Sequence, residues 1–125
     1  MTETANSDLK YTFPKSERLH SKKLIEELFN EGSYFYLYPF RVTYLFKDDL
    51  PEAPQVMFSV SKRKFKSAVH RNRIKRLMRE AYRLNKHDVD LSRCLIGVVY
   101  TSDDMPAFSF VEKKLKKALN KLSQL

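Results

Sequence analysis

The positively charged residues of this chain are concentrated in one short segment. Of the 24 lysines and arginines in 125 residues, ten fall between Lys62 and Arg83, where Glu80 is the only acid. This segment carries the whole net charge of +9, because the 14 basic and 14 acidic residues elsewhere cancel. Arginine forms planar, bidentate contacts with phosphate, and lysine neutralises phosphate as a point charge. The pattern predicts a polyanion site formed by Lys62, Arg63, Lys64, Lys66, Arg71, Arg73, Lys75, Arg76, Arg79 and Arg83.

Few other residues have the types and spacing that catalysis or metal binding needs. The candidates are the three histidines, the single cysteine and two acidic clusters: His20, His70, His87, Cys94, residues 48–52 and residues 103–104. The histidines lack the spacing of metal ligands, and the cysteine falls in an apolar run that would raise its pKa. The acidic residues fall in turn-like segments, where aspartate is common for local hydrogen bonding. We therefore expect no catalytic residue and no metal site in this chain.

The basic residues from 71 to 83 are predicted to lie on one amphipathic helix, residues 67–84. Apolar residues at helical spacing define its inward face: Ile74, Leu77, Met78, Ala81 and Leu84. The opposite face carries Asn72, Lys75, Arg76, Arg79 and Arg83, and its edges carry Arg71 and Arg73. Like charges at such spacings destabilise an isolated helix, so a bound polyanion would relieve their repulsion.

Besides RNA binding, two other roles are possible for a helix of this composition. A run of charges is most often a solvated helix face, but such faces normally mix both signs. A basic helix could also enter the major groove of DNA. The sequence contains no helix-turn-helix partner, no zinc-ligand set and no heptad repeat, so RNA is the favoured polyanion.

The remaining sequence predicts an α+β domain in the order α-β-β-β-α-β-α. Ser21 can cap a first helix that runs to residue 30, with Gly32 just beyond it. Alternating residues predict strands at 34–38, 40–46 and 56–60, and the apolar run CLIGVVY at 94–100 predicts a central strand covered on both faces. Ser109 is expected to cap a last helix with inward residues Val111, Leu115, Ala118, Leu119 and Leu122. These elements would form a small four-stranded sheet with three helices.

Composition limits the class of protein further. Residues 16–125 are long enough for a single domain, and residues 1–15 lack apolar periodicity, which predicts a disordered N-terminal tail. No apolar stretch is long enough to cross a membrane, and residues 1–10 lack the apolar centre of a signal peptide. One cysteine cannot form an internal disulfide, so the predicted location is the cytoplasm.

Residues 59–84, SVSKRKFKSAVHRNRIKRLMREAYRL, resemble the signature of the bacterial ribonuclease P protein subunit. That signature has a strand ending in a basic run, a short loop and the helix motif RNRxKRxxRE, which residues 71–80 match throughout. The remainder of residues 16–125 matches more loosely, through a helix before a glycine, an aromatic strand, an apolar strand and a last basic helix. The resemblance implies a ribosomal protein S5 domain 2-like fold, with a left-handed β-α-β crossover around the basic helix.

The resemblance also implies an activity. Such a chain would be an accessory subunit of a ribonucleoprotein that assists endonucleolytic removal of the 5′ leader from precursor tRNA. The catalytic centre would lie in the RNA subunit, and Mg²⁺ would be held mainly by that RNA, with no cofactor bound by the protein alone. The implied partners are ribonuclease P RNA and precursor tRNA, without a membrane, and the protein would be monomeric outside the complex. Composition alone leaves open a structural RNA-binding protein, such as a ribosomal protein, because both classes neutralise phosphates.

The resemblance assigns two groups of site residues. The basic helix and the loop before it would contact RNA through Lys62, Arg63, Lys64, Lys66, Arg71, Asn72, Arg73, Lys75, Arg76, Arg79 and Arg83. A separate cleft between the first helix and the sheet would bind the single-stranded leader through Ile25, Phe29, Phe40, Arg41, Thr43 and Tyr44. Most aromatic residues at strand spacing belong to a core, so only a few are expected to be free to stack on bases. The candidates are Phe29, Tyr34, Tyr36, Tyr38, Phe40 and Tyr44.

Overall fold

The computed structural model describes residues 11–125 and shows three α-helices and four strands in that part of the chain. The helices are α1 (Lys22–Glu31), α2 (Ala68–Asn85) and α3 (Phe108–Ser123), and the strands are β1 (Ser33–Leu37), β2 (Phe40–Phe46), β3 (Gln55–Val60) and β4 (Cys94–Tyr100). Two short 3₁₀ turns, Lys15–Glu17 and Lys86–Asp88, precede α1 and follow α2. The predicted α+β class and element order are confirmed.

The four strands form one mixed sheet in the order β1-β2-β4-β3. β2 pairs antiparallel with both β1 and β4, whereas β3 runs parallel to β4. β4 is a central strand and all of it except Val99 is buried, as its continuous apolar run predicts. α2 connects the parallel strands β3 and β4, so the basic helix lies within a β-α-β crossover. The left hand of that crossover stays a prediction from the resemblance.

Helices cover both faces of the sheet, and each face has its own core. α2 and α3 pack on one face over the larger core, to which they contribute Ile74, Met78 and Leu115. α1 packs on the opposite face over a smaller cluster, which consists of Leu19, Leu28, Leu50 and Leu95. Burial of one such side chain stabilises the fold by about 1.5–3 kcal/mol relative to its exposure, so both layers contribute to holding the sheet.

The ends of α1 are set by a serine and a glycine, as predicted. The Ser21 hydroxyl accepts a hydrogen bond from the Leu24 N–H at 3.4 Å, which caps the first turn. At the other end, the Gly32 N–H donates to the Leu28 carbonyl at 2.8 Å. A Cβ at Gly32 would lie 2.4 Å from the Leu28 oxygen and 2.7 Å from the Tyr44 oxygen. Only glycine therefore lets the chain pass this closely from α1 into β1.

The packed domain begins before residue 16, which corrects the predicted boundary for residues 11–15. Phe13 is buried in the larger core, where its ring centroid lies 6.0 Å from that of Phe58 and 5.4 Å from that of Tyr82. The Arg18 Nε donates to the Phe13 carbonyl at 2.9 Å and holds this segment in place. A single phenylalanine has no periodicity, so the sequence pattern did not indicate this contact. The predicted tail over residues 1–10 lies outside the described residues.

Two details of the helices differ from the predictions. Leu84 was expected to face inward but is exposed, and Tyr82 and Asn85 are buried instead. The buried stripe of α2 is therefore rotated toward the N-terminal segment that packs on Tyr82. α3 begins directly after Ala107 without a side-chain cap, so Ser109 lies inside the helix. The five predicted inward residues of α3 are all buried.

Candidate nucleic-acid interface

α2 carries most of the predicted RNA-binding side chains opposite its buried stripe. The Ser67 hydroxyl accepts a hydrogen bond from the His70 N–H at 3.5 Å and caps the helix, as the sequence predicts. The buried stripe consists of Ile74, Met78, Ala81, Tyr82 and Asn85. Away from this stripe lie the exposed residues Asn72, Arg73, Arg76 and Arg79 and the half-buried Lys75. Within residues 11–125, none of these four cations has an ion-pair partner.

Arg71 has a structural role at the start of α2. Its Nη1 donates to the carbonyl oxygens of Phe65 at 2.7 Å and of Lys66 at 2.8 Å. These bonds fasten the loop before α2 to the first turn of the helix. Any contact of Arg71 with RNA would therefore use its remaining N–H groups.

Arg83 is engaged with Glu80, the one acid of the basic segment. Its Nη2 donates to one carboxylate oxygen of Glu80 at 3.2 Å, and its Nε donates to the other. Its Nη1 donates to the Tyr11 carbonyl at 3.0 Å. The hydrogen bond from Arg83 holds the pKa of Glu80 below its ordinary value, so this carboxylate stays charged beside the arginine. Arg83 thus already uses three of its donors within the protein.

The loop between β3 and α2 extends the cationic area of the helix. All four of its predicted cations are exposed, namely Lys62, Arg63, Lys64 and Lys66. Lys64 forms an exposed ion pair with Asp103 at 3.0 Å. Phe65 is buried, and its ring centroid lies 6.2 Å from that of Tyr100. This aromatic anchor fixes the middle of the loop and leaves its basic side chains at the surface. We call the loop and helix set the basic surface: Lys62, Arg63, Lys64, Lys66, Asn72, Arg73, Lys75, Arg76 and Arg79.

The residues predicted for the leader cleft are divided between the two faces of the sheet. Successive residues of a strand point to opposite faces. Arg41 and Thr43 lie on the α1 face, where the cleft was expected. Phe40 lies on the other face and is completely buried in the larger core, and Tyr44 packs half-buried against the same core. The assignments of Phe40 and Tyr44 to the cleft are therefore wrong, because the period of β2 turns both rings away from α1.

The two predicted cleft residues of α1 have different surroundings. Ile25 is half-buried and packs against the smaller cluster, so it supports the helix. Phe29 is 52% exposed. The Phe29 Cζ lies 3.6 Å from the position that a Cβ on Gly97 would take. The Phe29 ring therefore lies over Gly97 of β4, at ordinary van der Waals distance from the position of that Cβ.

β1 adds two exposed tyrosines that the predicted cleft omitted. Tyr34 and Tyr36 pair with Thr43 and Arg41 in the β1–β2 register, so all four share the α1 face. The tyrosines are 63% and 56% exposed, and the Arg41 guanidinium carbon lies 4.5 Å from the Tyr34 ring centroid. The alternation of tyrosine with more apolar residues in SYFYL could have indicated this. We call this set the aromatic surface: Phe29, Tyr34, Tyr36 and Arg41.

Comparison with known proteins connects this arrangement to one family. The Ribonuclease P family profile matches residues 13–123. A ribonuclease P protein component from Porphyromonas gingivalis is 42% identical over 116 residues, which cover 87% of this chain and 85% of the relative. The chain belongs to the ribonuclease P protein family. A second member, from Pseudoalteromonas translucida, is 32% identical over 114 residues, which cover 91% and 79% of the two chains.

Solved ribonuclease P proteins have the same fold. The Staphylococcus aureus protein superposes with a TM-score of 0.69 at 21% identity, covering 88% of this chain and 97% of that one. The Thermotoga maritima protein gives a TM-score of 0.72 at 24% identity, covering 84% and 96%. Family membership confirms the predicted class: the chain is a subunit of ribonuclease P, a tRNA-processing ribonucleoprotein, and its partner is ribonuclease P RNA.

The histidine, cysteine and acidic side chains of this ribonuclease P protein do not form a metal-binding cluster in the part of the chain that the structure describes. Within residues 11–125, no group of three or more His, Cys, Asp or Glu residues could hold a metal ion. Cys94 is buried in β4, and burial raises the pKa of its thiol to about 12, so it is protonated at neutral pH.

Within residues 11–125, no helix is long and apolar enough to cross a membrane. The cytoplasmic location stays a prediction.

Proposed function

We propose that this ribonuclease P protein binds the catalytic RNA through its basic surface and the 5′ leader of precursor tRNA through its aromatic surface. It thereby assists the endonucleolytic cleavage that produces the mature 5′ end of tRNA. The observation that carries the proposal is that two surfaces of different chemistry lie on different parts of one domain. Catalysis is assigned to the RNA subunit, which also holds most of the Mg²⁺, and the free protein is assigned a monomeric state.

The basic surface is suited to a folded RNA. Arg73, Arg76 and Arg79 carry no ion-pair partner within residues 11–125, so their donors can contact phosphates without breaking protein contacts. Each phosphate contact releases condensed counterions, which is the main source of affinity for nucleic acid at moderate salt. Cations supplied by the protein would also lower the Mg²⁺ concentration that the RNA requires.

The aromatic surface is suited to unpaired nucleotides. Exposed rings stack on bases with little dependence on sequence, and a guanidinium beside a ring adds a cation–π contact. Arg41 and Tyr34 already form such a pair. Since mature tRNA lacks the leader, this surface would favour precursor over product. Phe29→Ala should narrow the difference in affinity between precursor and mature tRNA, and an equal loss for both RNAs would contradict this assignment.

The test of the proposed function is reconstitution. The purified chain is mixed with ribonuclease P RNA from the same source and a precursor tRNA at low millimolar Mg²⁺, with protein-alone and RNA-alone controls. We expect efficient cleavage only when both components are present, and no cleavage by the protein alone. If the protein binds RNA tightly but never stimulates cleavage, the structural RNA-binding class, such as a ribosomal protein, becomes the better account.

A further inference from the structure

A concave pocket lies where the N-terminal segment, the edge of β3 and α2 meet. Its volume is about 440 Å³, within the range of roughly 300–1,000 Å³ that is usual for small-ligand sites. Arg79 of the basic surface forms part of its wall, so the pocket continues that surface. None of the residues of the aromatic surface lines it.

The ionisable side chains that line the pocket are all basic. Lys15, Arg18, His20 and Arg79 line it, and no acid does. The Arg18 Nε donates to the Phe13 carbonyl at 2.9 Å, and its guanidinium carbon lies 5.3 Å from the Phe13 ring centroid, so this arginine is held in place. Lys15 and Arg79 have no ion-pair partner within residues 11–125. Cations that converge in this way without counter-charges favour an anionic ligand.

The floor of the pocket is apolar and includes a free strand edge. Leu19, Val56 and Phe58 contribute to the lining. β3 is an edge strand, and the N-terminal segment pairs with it at Val56, through a parallel bridge to Arg18 in which the Val56 carbonyl accepts from the Leu19 N–H at 2.9 Å. Phe58 lies two residues further and faces the same edge, where its backbone has no partner among the described residues. An apolar floor beside a free N–H and C=O is suited to a nucleobase, which has a flat ring and a hydrogen-bonding edge.

We propose that this pocket binds one unpaired nucleotide of the RNA that the basic surface contacts. The phosphate lies among Lys15, Arg18 and Arg79, and the base lies on the apolar floor with its edge toward the Phe58 backbone. A base within a duplex is stacked and paired, so it cannot reach this floor. The inference rests on the proposed function only for the identity of the RNA.

The test is an NMR titration of the full-length, ¹⁵N-labelled chain. Adenosine 5′-monophosphate should shift the amide signals of Leu19 and Phe58 and should bind more tightly than inorganic phosphate. A short single-stranded RNA should shift the same signals, whereas a duplex of the same length should shift only those of α2. Lys15→Ala should weaken binding of the mononucleotide about three- to fivefold, as loss of one exposed ionic contact implies. The matched control Lys22→Ala, an exposed cation on α1 outside the pocket, should bind it like the unaltered chain.

Three results would overturn the inference. They are equal affinity for phosphate and mononucleotide, shifts confined to α2, and equal losses for Lys15→Ala and Lys22→Ala. The amide spectrum of each variant shows whether it is folded, so a loss of structure is not mistaken for a loss of contact. The titration contains neither ribonuclease P RNA nor tRNA, and the cleavage assay does not depend on this pocket being occupied. Failure of one proposal is therefore distinguishable from failure of the other.

Discussion

At the scale of single residues, the cations of α2 differ in whether protein groups already occupy their donors. Arg83 donates to Glu80 and to a backbone carbonyl, whereas Arg76 and Arg79 have no such partner in the described part of the chain. A hydrogen bond to a charged group contributes about 1.5–3 kcal/mol, so a free arginine has more to gain from a phosphate. We expect Arg76→Ala and Arg79→Ala each to weaken binding of ribonuclease P RNA about tenfold or more.

Arg83→Ala is the matched control for these variants. This substitution removes one positive charge, as the other two do, but the Arg83 side chain is already hydrogen-bonded within the protein. We therefore expect its affinity for ribonuclease P RNA to fall at most about threefold, as loss of one exposed ionic contact implies. Fluorescence anisotropy with labelled RNA at one fixed salt concentration measures all three affinities. Equal losses would mean that only net charge matters and that the division between free and engaged arginines has no consequence.

The exposed aromatic residues of β1 and β2 also differ by face. Tyr36 lies on the α1 face, whereas Phe46 is 41% exposed on the opposite face of the sheet. Stacking of one base on an aromatic ring contributes about 1–3 kcal/mol. Tyr36→Ala should therefore weaken binding of precursor tRNA to the holoenzyme by about tenfold and leave binding of mature tRNA unchanged. Phe46→Ala should change neither affinity, and a comparable effect of both variants would place the leader elsewhere.

At the scale of elements, the periodicity of the sequence predicted the features that depend on residues close together in the chain. The bounds of β2 and β4 agree with the predicted ones, since alternation and a continuous apolar run are properties of the strands themselves. The period of β2 also requires Phe40 and Arg41 to face opposite ways. Which face belongs to α1 depends on the packing of a distant helix, so the predicted cleft included residues of both faces.

The buried stripe of α2 also depends on residues that are distant in the chain. Helical spacing predicts an apolar arc, but its centre depends on the neighbours that cover it. Phe13, outside the predicted domain, packs on Tyr82 and draws that residue inward, while Leu84 is left exposed. Contacts between residues so far apart in the chain leave no local signal.

Gly32 is the position where an element boundary depends on a single missing side chain. A Cβ there would meet two backbone oxygens, which cannot move aside without distorting α1 or β2. Gly32→Ala should lower the free energy of unfolding by about 1–3 kcal/mol, as overpacking does. Gly97→Ala is the control, because its Cβ would lie 3.4–3.7 Å from three side-chain atoms. Urea unfolding of both variants measures the difference, and equal stabilities would contradict the close approach at Gly32.

Burial of the Cys94 thiol in β4 should make the stability of the fold change with pH in the alkaline range. The pKa of Cys94 is raised by burial from 9.0 to about 12, so the folded state holds this proton more tightly than the unfolded state. Stability should therefore be unaffected below pH 9 and fall as the pH rises from 9 toward 12. Burial also raises the pKa of Tyr82, which acts in the same direction. Urea unfolding between pH 8 and pH 11 measures the fall in the free energy of unfolding. Cys94→Ala should make this free energy fall less steeply with pH. An unchanged slope in that variant would assign the effect to other groups.

At the scale of the whole molecule, the sheet separates the basic surface from the aromatic surface. α2 and α3 cover one face of the sheet. α1 has ten residues, so it spans about 15 Å and leaves the β1 side of the other face open. The basic surface lies on α2 and the loop before it, whereas the tyrosines of the aromatic surface lie on the open part of the α1 face. We therefore expect that substitutions can alter the affinity due to charge and the affinity due to stacking independently.

This separation predicts how binding responds to salt. About six phosphate contacts by the basic surface would give a slope near −5 for the logarithm of affinity against the logarithm of salt concentration. Arg79→Ala should reduce the steepness of that slope by about one, since it removes one contact with a phosphate. Tyr36→Ala should lower the affinity for precursor tRNA at every salt concentration without changing the slope, because stacking releases no counterions. Two titrations over a range of potassium chloride concentrations provide the slopes. One measures binding of the Arg79→Ala protein to ribonuclease P RNA, and the other measures binding of precursor tRNA to the holoenzyme that contains the Tyr36→Ala protein. A flat dependence would contradict the electrostatic role of α2, and a slope altered by Tyr36→Ala would mean that the two surfaces do not act independently.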